Sequence, residues 1–227
     1  MNSSEKNLEI FGFDIIRSFL SGKQLALLIE STEKLKLKPR AGGIREIDKL
    51  IPEIGDFSSS EYMISNISKY LSSKPIMVRA IYFDKNPESN WLVTWHQDKT
   101  ITVTDKIEID GWGPWSVKNN VHHVQPPIDV LENMITIRIH LDDAKIENGC
   151  LKIIPRSHKY GLIKTPDITK YVENENPVFC EVKAGDAVFI RPHILHSSEK
   201  AKVIKNRRVL HFEYSSYVLP NGLTWVA

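Results

Sequence analysis

From Ile76 onward the chain is cut into short β-branched segments separated by turn chemistry, and that texture limits its fold more than any other feature. The strand candidates are IMVRAIYF, WLVTWHQD, a stretch near VHHVQ, MITIRIHLDD, CLKIIP, VFCEVKAG, AVFIRPH and RRVLHFEYSSYV. Between them lie KNPESN, DGWGPW, KIENG, PRSHKYG and KAGD, rich in the residues that tight turns need. Many short strands at this spacing imply an antiparallel sandwich or barrel. The first 75 residues read differently. Ser21 is the expected N-cap of a helix through GKQLALLIESTEKLKL, with Leu25, Leu28, Ile29 and Leu35 at helical spacing and Pro39 and Gly42-Gly43 closing it. A second helix is expected through SSEYMISNISKYLSS, carrying Met63, Ile67, Tyr70 and Leu71 on one face and stopped by Pro75. At 227 residues, without a repeat or a composition break, the expectation is a single domain over 1–227. Its helical segment, 1–75, would cover one outer face of a β-core spanning 76–227.

Charge adds little. Thirty basic and 28 acidic residues leave a formal +2, too balanced to predict a nucleic-acid or membrane partner. The short basic clusters, Lys34 to Lys38 and Lys205 to Arg208, read as solvated surface. Cys150 and Cys180 form no CxxC pair and sit in apolar runs, so buried free thiols are expected. The opening MNSSEKNLEIFGFDIIRSF has no uninterrupted apolar stretch of signal-peptide type, and no run reaches the ~18 residues of a membrane span. The expectation is a cytoplasmic protein.

The chemistry begins at WHQD. On a strand, His96 and Asp98 point the same way, so an imidazole nitrogen and a carboxylate oxygen can converge on one ion, with Gln97 facing the opposite side. A third ligand would come from GDAVFIRPHILHSSEKA, which offers His193 and His196. Two histidines and a carboxylate on one face of a metal leave positions open, the arrangement of non-haem Fe(II) oxygenases. The competing reading is a half-exposed strand pair.

Arg207 bears on that choice. It enters an apolar strand eleven residues past His196, and a guanidinium drawn into a β-core is costly unless it meets an anion. Its fork suits a carboxylate such as the distal end of 2-oxoglutarate, with the Ser198 hydroxyl placed to assist. A surface salt bridge is the alternative. Arg208 points the other way and reads as solvent-facing.

At these residues the sequence resembles the phytanoyl-CoA dioxygenase family of Fe(II)/2-oxoglutarate oxygenases. WHQD matches the family's HxD and His196 its distal histidine. NGCLKIIPRSHKYG is similar to the family's turn, strand and Pro-Gly-Ser-His loop, with Arg156 where glycine is usual. GDAVFIRPHILHSS followed by NRR matches the last metal and cosubstrate segment, and GFDIIRSFLSGKQ the opening strand and first helix. The resemblance implies a double-stranded β-helix (a jelly roll, cupin-like), mainly β with flanking helices. It implies iron held by His96, Asp98 and His196, and 2-oxoglutarate held by Arg207 with Ser198 nearby. With O2, such an enzyme converts 2-oxoglutarate to succinate and CO2 while hydroxylating a C–H bond. The presence of Asp98 disfavours halogenation, because related halogenases lack that carboxylate. His196 is preferred to His193 because it provides the spacings to Ser198 and Arg207.

The stretch TDKIEIDGWGPWSVKNNVHHVQPP reads as a long insert after the HxD strand. Either it lines a pocket, with His123 and Gln125 on the substrate and Trp115 flanking the cosubstrate, or it packs on the barrel as an Ω-loop anchored by tryptophan. In MITIRIHLDD, Ile135, Ile137, Ile139 and Leu141 share one face; Thr136, Arg138 and His140 share the other, the cavity side of a jelly roll. Arg138 and Arg79 are therefore candidates for an anionic substrate, or else for buried ion pairs with Asp142, Asp143 or Glu213. His158 is expected to orient its loop and not to ligate. The leading expectation is a small-molecule hydroxylase, monomeric or homodimeric. Its competitors are a non-catalytic metal- or ligand-binding jelly roll and a zinc hydrolase using the same triad, in which Arg207 would have no role.

Overall fold

The computed structural model describes residues 3–33, 35, 42–118, 120–203 and 205–226. The chain opens with α1 (Ser3–Phe11), β1 (Phe13–Ile16), α2 (Gly22–Glu33), β2 (Ile44–Arg45), α3 (Ile47–Leu50), α4 (Pro52–Ser59) and α5 (Glu61–Ile67). Next come β3 (Ile76–Lys85), β4 (Val93–His96), β5 (Ile101–Val103), β6 (Trp115–Lys118), β7 (Val121–Val124), α6 (Ile128–Glu132) and β8 (Met134–His140). The last elements are β9 (Leu151–Ile153), α7 (Ile168–Val172), β10 (Val178–Cys180), β11 (Ala187–Ile190), β12 (His196–Ser198) and β13 (Arg207–Ser215).

Every strand pairing is antiparallel. A six-stranded sheet runs β1-β11-β8-β13-β3-β2, a four-stranded sheet β10-β9-β12-β4, and a three-stranded sheet β5-β7-β6. The two larger sheets build the jelly roll. Alternation along β8 and β13 sorts their side chains: Ile135, Ile137, Ile139, Leu210, Phe212 and Tyr214 join a core with Leu8, Leu28, Ile54 and Met63 of the helices. The other face, with Arg138, Arg207, His211 and Glu213, turns toward the interior cavity. Between the sheets, Val188 and Ile190 of β11 pack with Leu151 and Ile153 of β9. Cys150 and Cys180 are buried and unpaired. Among the described residues no helix is long and apolar enough to cross a membrane.

The helical segment follows its local signals with additions. Ser21 caps α2 reciprocally: its Oγ accepts from the Gln24 N–H, and the Gln24 side chain accepts from the Ser21 N–H. Pro39 and the lysines of the 34–38 cluster lie outside the described residues. The second expected helix ends at Ile67 rather than Ser73; Ser60 caps it at Met63 N–H, and Tyr70 and Leu71 pack on the core from the turn that follows. Of the strands in 1–75, β1 is the opening strand that the resemblance implied, and β2 departs from the helical expectation. β1 and β2 add the two edges of the six-stranded sheet, and α4 starts with Pro52 in its first turn. The largest correction concerns the insert. Of its two readings the Ω-loop is overturned: the insert folds as a β6–β7 hairpin completed by β5, with Trp115 opposite Val124 and Val117 opposite His122. β7 falls on the strand expected near VHHVQ, and Lys118 and His123 line the cavity.

Candidate functional site

His96 closes β4 and His196 opens β12, and they are direct cross-strand partners with ring centroids 4.2 Å apart. In each ring Nδ1 lies 2.9 Å from the carbonyl two residues back, Thr94 O and Ile194 O. A carbonyl only accepts, so each Nδ1 carries the proton and each Nε2 keeps its lone pair. Asp98 follows β4, held by its N–H donating to Pro192 O at 3.0 Å. Its carboxylate oxygens stand 3.6 Å from Nε2 of His96 and 3.6 Å from Nε2 of His196. Burial works against the Asp98 charge, but His196, His96, His211 and Arg79 outweigh it and hold the carboxyl below its usual range. Burial and the neighbouring His96 lower His196 to about 4 despite Asp98, so its ring is neutral, the form that ligates. This donor set fits Fe(II).

The three groups open into a cavity of about 320 Å³ that Arg207, Arg138 and Ser198 also line. Arg207 is 2% exposed, and its Nε and Nη1 have no hydrogen-bond partner. Burial and the nearby Arg138 lower it to about 9, which still leaves it charged at neutral pH. A buried, charged fork with two unspent donors is the complement of a carboxylate and fits 2-oxoglutarate. Ser198 is less free than its sequence position suggests. Its Oγ donates to Gly149 O and accepts from Lys85 Nζ, both at 2.8 Å. Lys85, fully buried and directly opposite Arg207 on β3, went unnoticed in the sequence; burial, Arg207 and Arg138 lower it to about 7. His140 is buried on the same face of β8, with neither ring nitrogen bonded.

A second polar row crosses the strands. Arg138 lies opposite His211, and Glu213 opposite Arg79. Arg138 Nη1 is 3.0 Å from His211 Nδ1, His211 Nε2 is 3.2 Å from Glu213 Oε1, and Arg79 Nη1 reaches the same oxygen at 2.9 Å. Arginine only donates, so Nδ1 of His211 accepts and Nε2 donates to the carboxylate. This chain fixes the His211 tautomer and ties Arg79 into a buried ion pair. The signal was present in RRVLHFEYS, where His211 and Glu213 share a face with Arg207.

The remaining expectations divide. His123 lines the cavity from β7; burial and Arg79 lower it to about 4, so it is neutral. Two residues of the insert are corrected. Trp115 packs in an apolar cluster with Ile101, Val103 and Val124 and does not line the cavity. Gln125 uses its backbone to close the hairpin, its N–H donating to Pro114 O and its carbonyl accepting from Gly113. Both lie on the hairpin away from the cavity because pairing, not composition, sets which face a strand presents. His193 is buried outside the cavity, and its carbonyl accepts from the Gln97 amide at 2.6 Å. Arg156 adopts a left-handed φ of 69°, which explains the usual glycine there, and its guanidinium lies over Phe11. His158 holds its loop to the Glu9 carbonyl. Arg208 is not simply solvent-facing: it forms a two-pronged ion pair with Asp142.

Comparison with known proteins agrees with this geometry. The family model described as phytanoyl-CoA dioxygenase (PhyH) matches residues 11–209. Phytanoyl-CoA dioxygenase 1 of Oryza sativa subsp. japonica is 25% identical over 180 residues, covering 75% of this chain and 54% of that protein. The chain spans less than two thirds of the length of the first curated relatives it matches. Among solved structures, HygX from Streptomyces hygroscopicus with nickel and 2-oxoglutarate bound superposes with a TM-score of 0.69 at 12% identity, covering 95% of this chain and 87% of that one. The 2-oxoglutarate-dependent epimerase SnoN from nogalamycin biosynthesis does so with a TM-score of 0.69 at 13% identity, covering 93% and 79%. Both likenesses concern the fold.

Proposed function

The chain belongs to the phytanoyl-CoA dioxygenase family, and from that premise we propose that it is an Fe(II)- and 2-oxoglutarate-dependent dioxygenase that hydroxylates a C–H bond of a small molecule. The observation that carries this is one cavity holding both halves of the requirement: three metal-type donors, and a buried arginine with two unspent N–H groups. A zinc hydrolase would use the first and have no use for the second.

His96, Asp98 and His196 would hold the iron, and Arg207 the distal carboxylate of 2-oxoglutarate. Bound together, metal and cosubstrate supply the oxidising power: 2-oxoglutarate and O2 become succinate and CO2, and one oxygen atom enters the substrate C–H bond. The protein's part is orientation. The Thr94 and Ile194 carbonyls fix the ligand tautomers, so both Nε2 lone pairs face the metal position before it is filled. The buried Lys85–Ser198–Gly149 chain stiffens the wall beside Arg207. The Arg79–Glu213–His211–Arg138 row gives the substrate side a polar surface whose donors and acceptors are already assigned.

Anaerobic addition of Fe(II) and 2-oxoglutarate should produce a weak visible charge-transfer band, and admission of air should yield succinate. Asp98→Ala should lose both. Absence of band and succinate in the unmodified protein would sink the reading, and unchanged succinate formation in the variant would remove Asp98 from the ligand set. Hydroxylation rather than another outcome, such as epimerisation, is read from a product heavier by one oxygen.

A further inference from the structure

Resting on the proposed function only for the charges of metal and cosubstrate, the cavity discloses the sign of what else it takes. Among the described residues its lining carries five cationic side chains, Arg45, Arg79, Lys118, Arg138 and Arg207, against two carboxylates, Asp98 and Glu213. Five less two leaves three positive charges in excess. Fe(II) adds two and dianionic 2-oxoglutarate removes two, so the excess survives loading. His123, also in the lining, is neutral at physiological pH and does not alter the count.

The cations are not equivalent. Arg79 is spent on Glu213 and the Thr100 carbonyl. Arg138 is buried against His211 and the Phe83 ring, and Arg207 is buried where the cosubstrate carboxylate would lie. Arg45 and Lys118 are different: both are exposed, both line the cavity, and among the described residues neither pairs with a carboxylate. They arrive from unrelated elements, Arg45 from the edge strand β2 and Lys118 from the end of β6, yet both line the same two cavities and both act on His123. An adjoining cavity of about 100 Å³ shares Arg45, Arg79, Lys118 and His123 and adds Glu46, Asp48 and Lys49, the last paired with Glu46. An anion is therefore drawn to the cations that the two cavities share. Unpaired cations lining one cavity concentrate counter-charge there, and a guanidinium with an ammonium is a receptor for an oxyanion.

We propose that the primary substrate is a small anion, carrying a phosphonate, phosphate or carboxylate group that Arg45 and Lys118 receive at the cavity opening while its carbon chain reaches toward His96, Asp98 and His196. The hairpin of the insert then has a definite task, which is to bring Lys118 into the cavity that Arg45 lines.

The test is a calorimetric titration of propylphosphonate into the protein, with and without anaerobic Fe(II) and 2-oxoglutarate, beside propanol and propylammonium as charge controls. Propylphosphonate should bind saturably and at least about tenfold tighter than either control. Arg45→Glu combined with Lys118→Glu should weaken it by about tenfold or more with the melting temperature retained, and Arg45→Gln or Lys118→Gln alone should each give a smaller loss in the same direction. No saturable phosphonate binding, or equal binding of the amine or alcohol, overturns the proposal. So does phosphonate binding that is indifferent to Arg45 and Lys118 but is displaced by 2-oxoglutarate, for the anion is then only occupying the Arg207 position. If 2-oxoglutarate fails to bind while phosphonate binds through Arg45 and Lys118, the oxygenase reading falls and the anion site stands.

Discussion

Arg207 and Lys85 occupy facing positions on neighbouring strands, and among the described residues neither forms an ion pair with a carboxylate. Two cations placed together out of water are costly, and the carboxylate proposed to bind Arg207 would offset that cost. Arg207→Ala should raise the concentration of 2-oxoglutarate needed for half-saturation by about tenfold or more, while the requirement for Fe(II) changes little. An unchanged requirement would move the anchor to another cation. Lys85 yields a pH signature. Burial first, then Arg207 and Arg138, lower it to about 7 from 10.5. The unfolded chain regains the ordinary value, so from about pH 7 to about pH 10 the unfolded state binds more protons and stability rises with pH. Below pH 7 the fold carries the full cost of the buried charge. Urea midpoints of the protein without metal or cosubstrate should therefore climb from pH 7 to pH 9, and Lys85→Met should flatten the climb. Parallel curves for the two proteins would refute the assignment.

Among the elements, β8 has the most to lose. It lies between β11 and β13, all seven of its residues are buried, and its two faces have opposite duties. Ile137 packs into the helical core while Arg138, its neighbour in sequence, faces the cavity. Ile137→Ala should cost about 3 kcal/mol of stability, because the surrounding strands and helices cannot close on the lost volume. The same alternation made β8 readable in advance, with Arg138 and His140 assigned to the inner side. β2 shows the opposite case. Two residues long, it has no periodicity to detect, and it pairs with β3 through only Ile44 and Arg45. For that reason Arg45 could not be expected at the cavity, whereas His211 and Glu213, two and three alternations past Arg207, could have been.

For the molecule as a whole, the site joins elements far apart in sequence: the metal-type triad bridges β4 and β12, and the cavity wall is taken from both large sheets and the hairpin. Filling such a site favours the folded state by mass action. Fe(II) and 2-oxoglutarate at about a hundred times their dissociation constants should each add about 2.7 kcal/mol. Anaerobic melting curves should then show Asp98→Ala losing both increments and Arg207→Ala losing the 2-oxoglutarate increment alone. Equal increments in all three proteins would mean that neither ligand uses this cavity.

The jelly roll itself was implied by the family resemblance. Local patterning was enough for an antiparallel sandwich or barrel, the helical cover, the capped start of α2, and the convergence of His96 with Asp98. These rest on periodicity and turn chemistry, which act over a few residues and are written in order along the chain. Long-range packing settled what lies across the cavity. Lys85 stands opposite Arg207 because β3 and β13 share a register, and Trp115 turns into an apolar cluster because β6 pairs with β7 in a hairpin. Arg45 and Lys118 line one cavity because two sheet edges, β2 and β6, border it. Which side chains face one another is a property of strand register and sheet packing, and neither is encoded in any single segment.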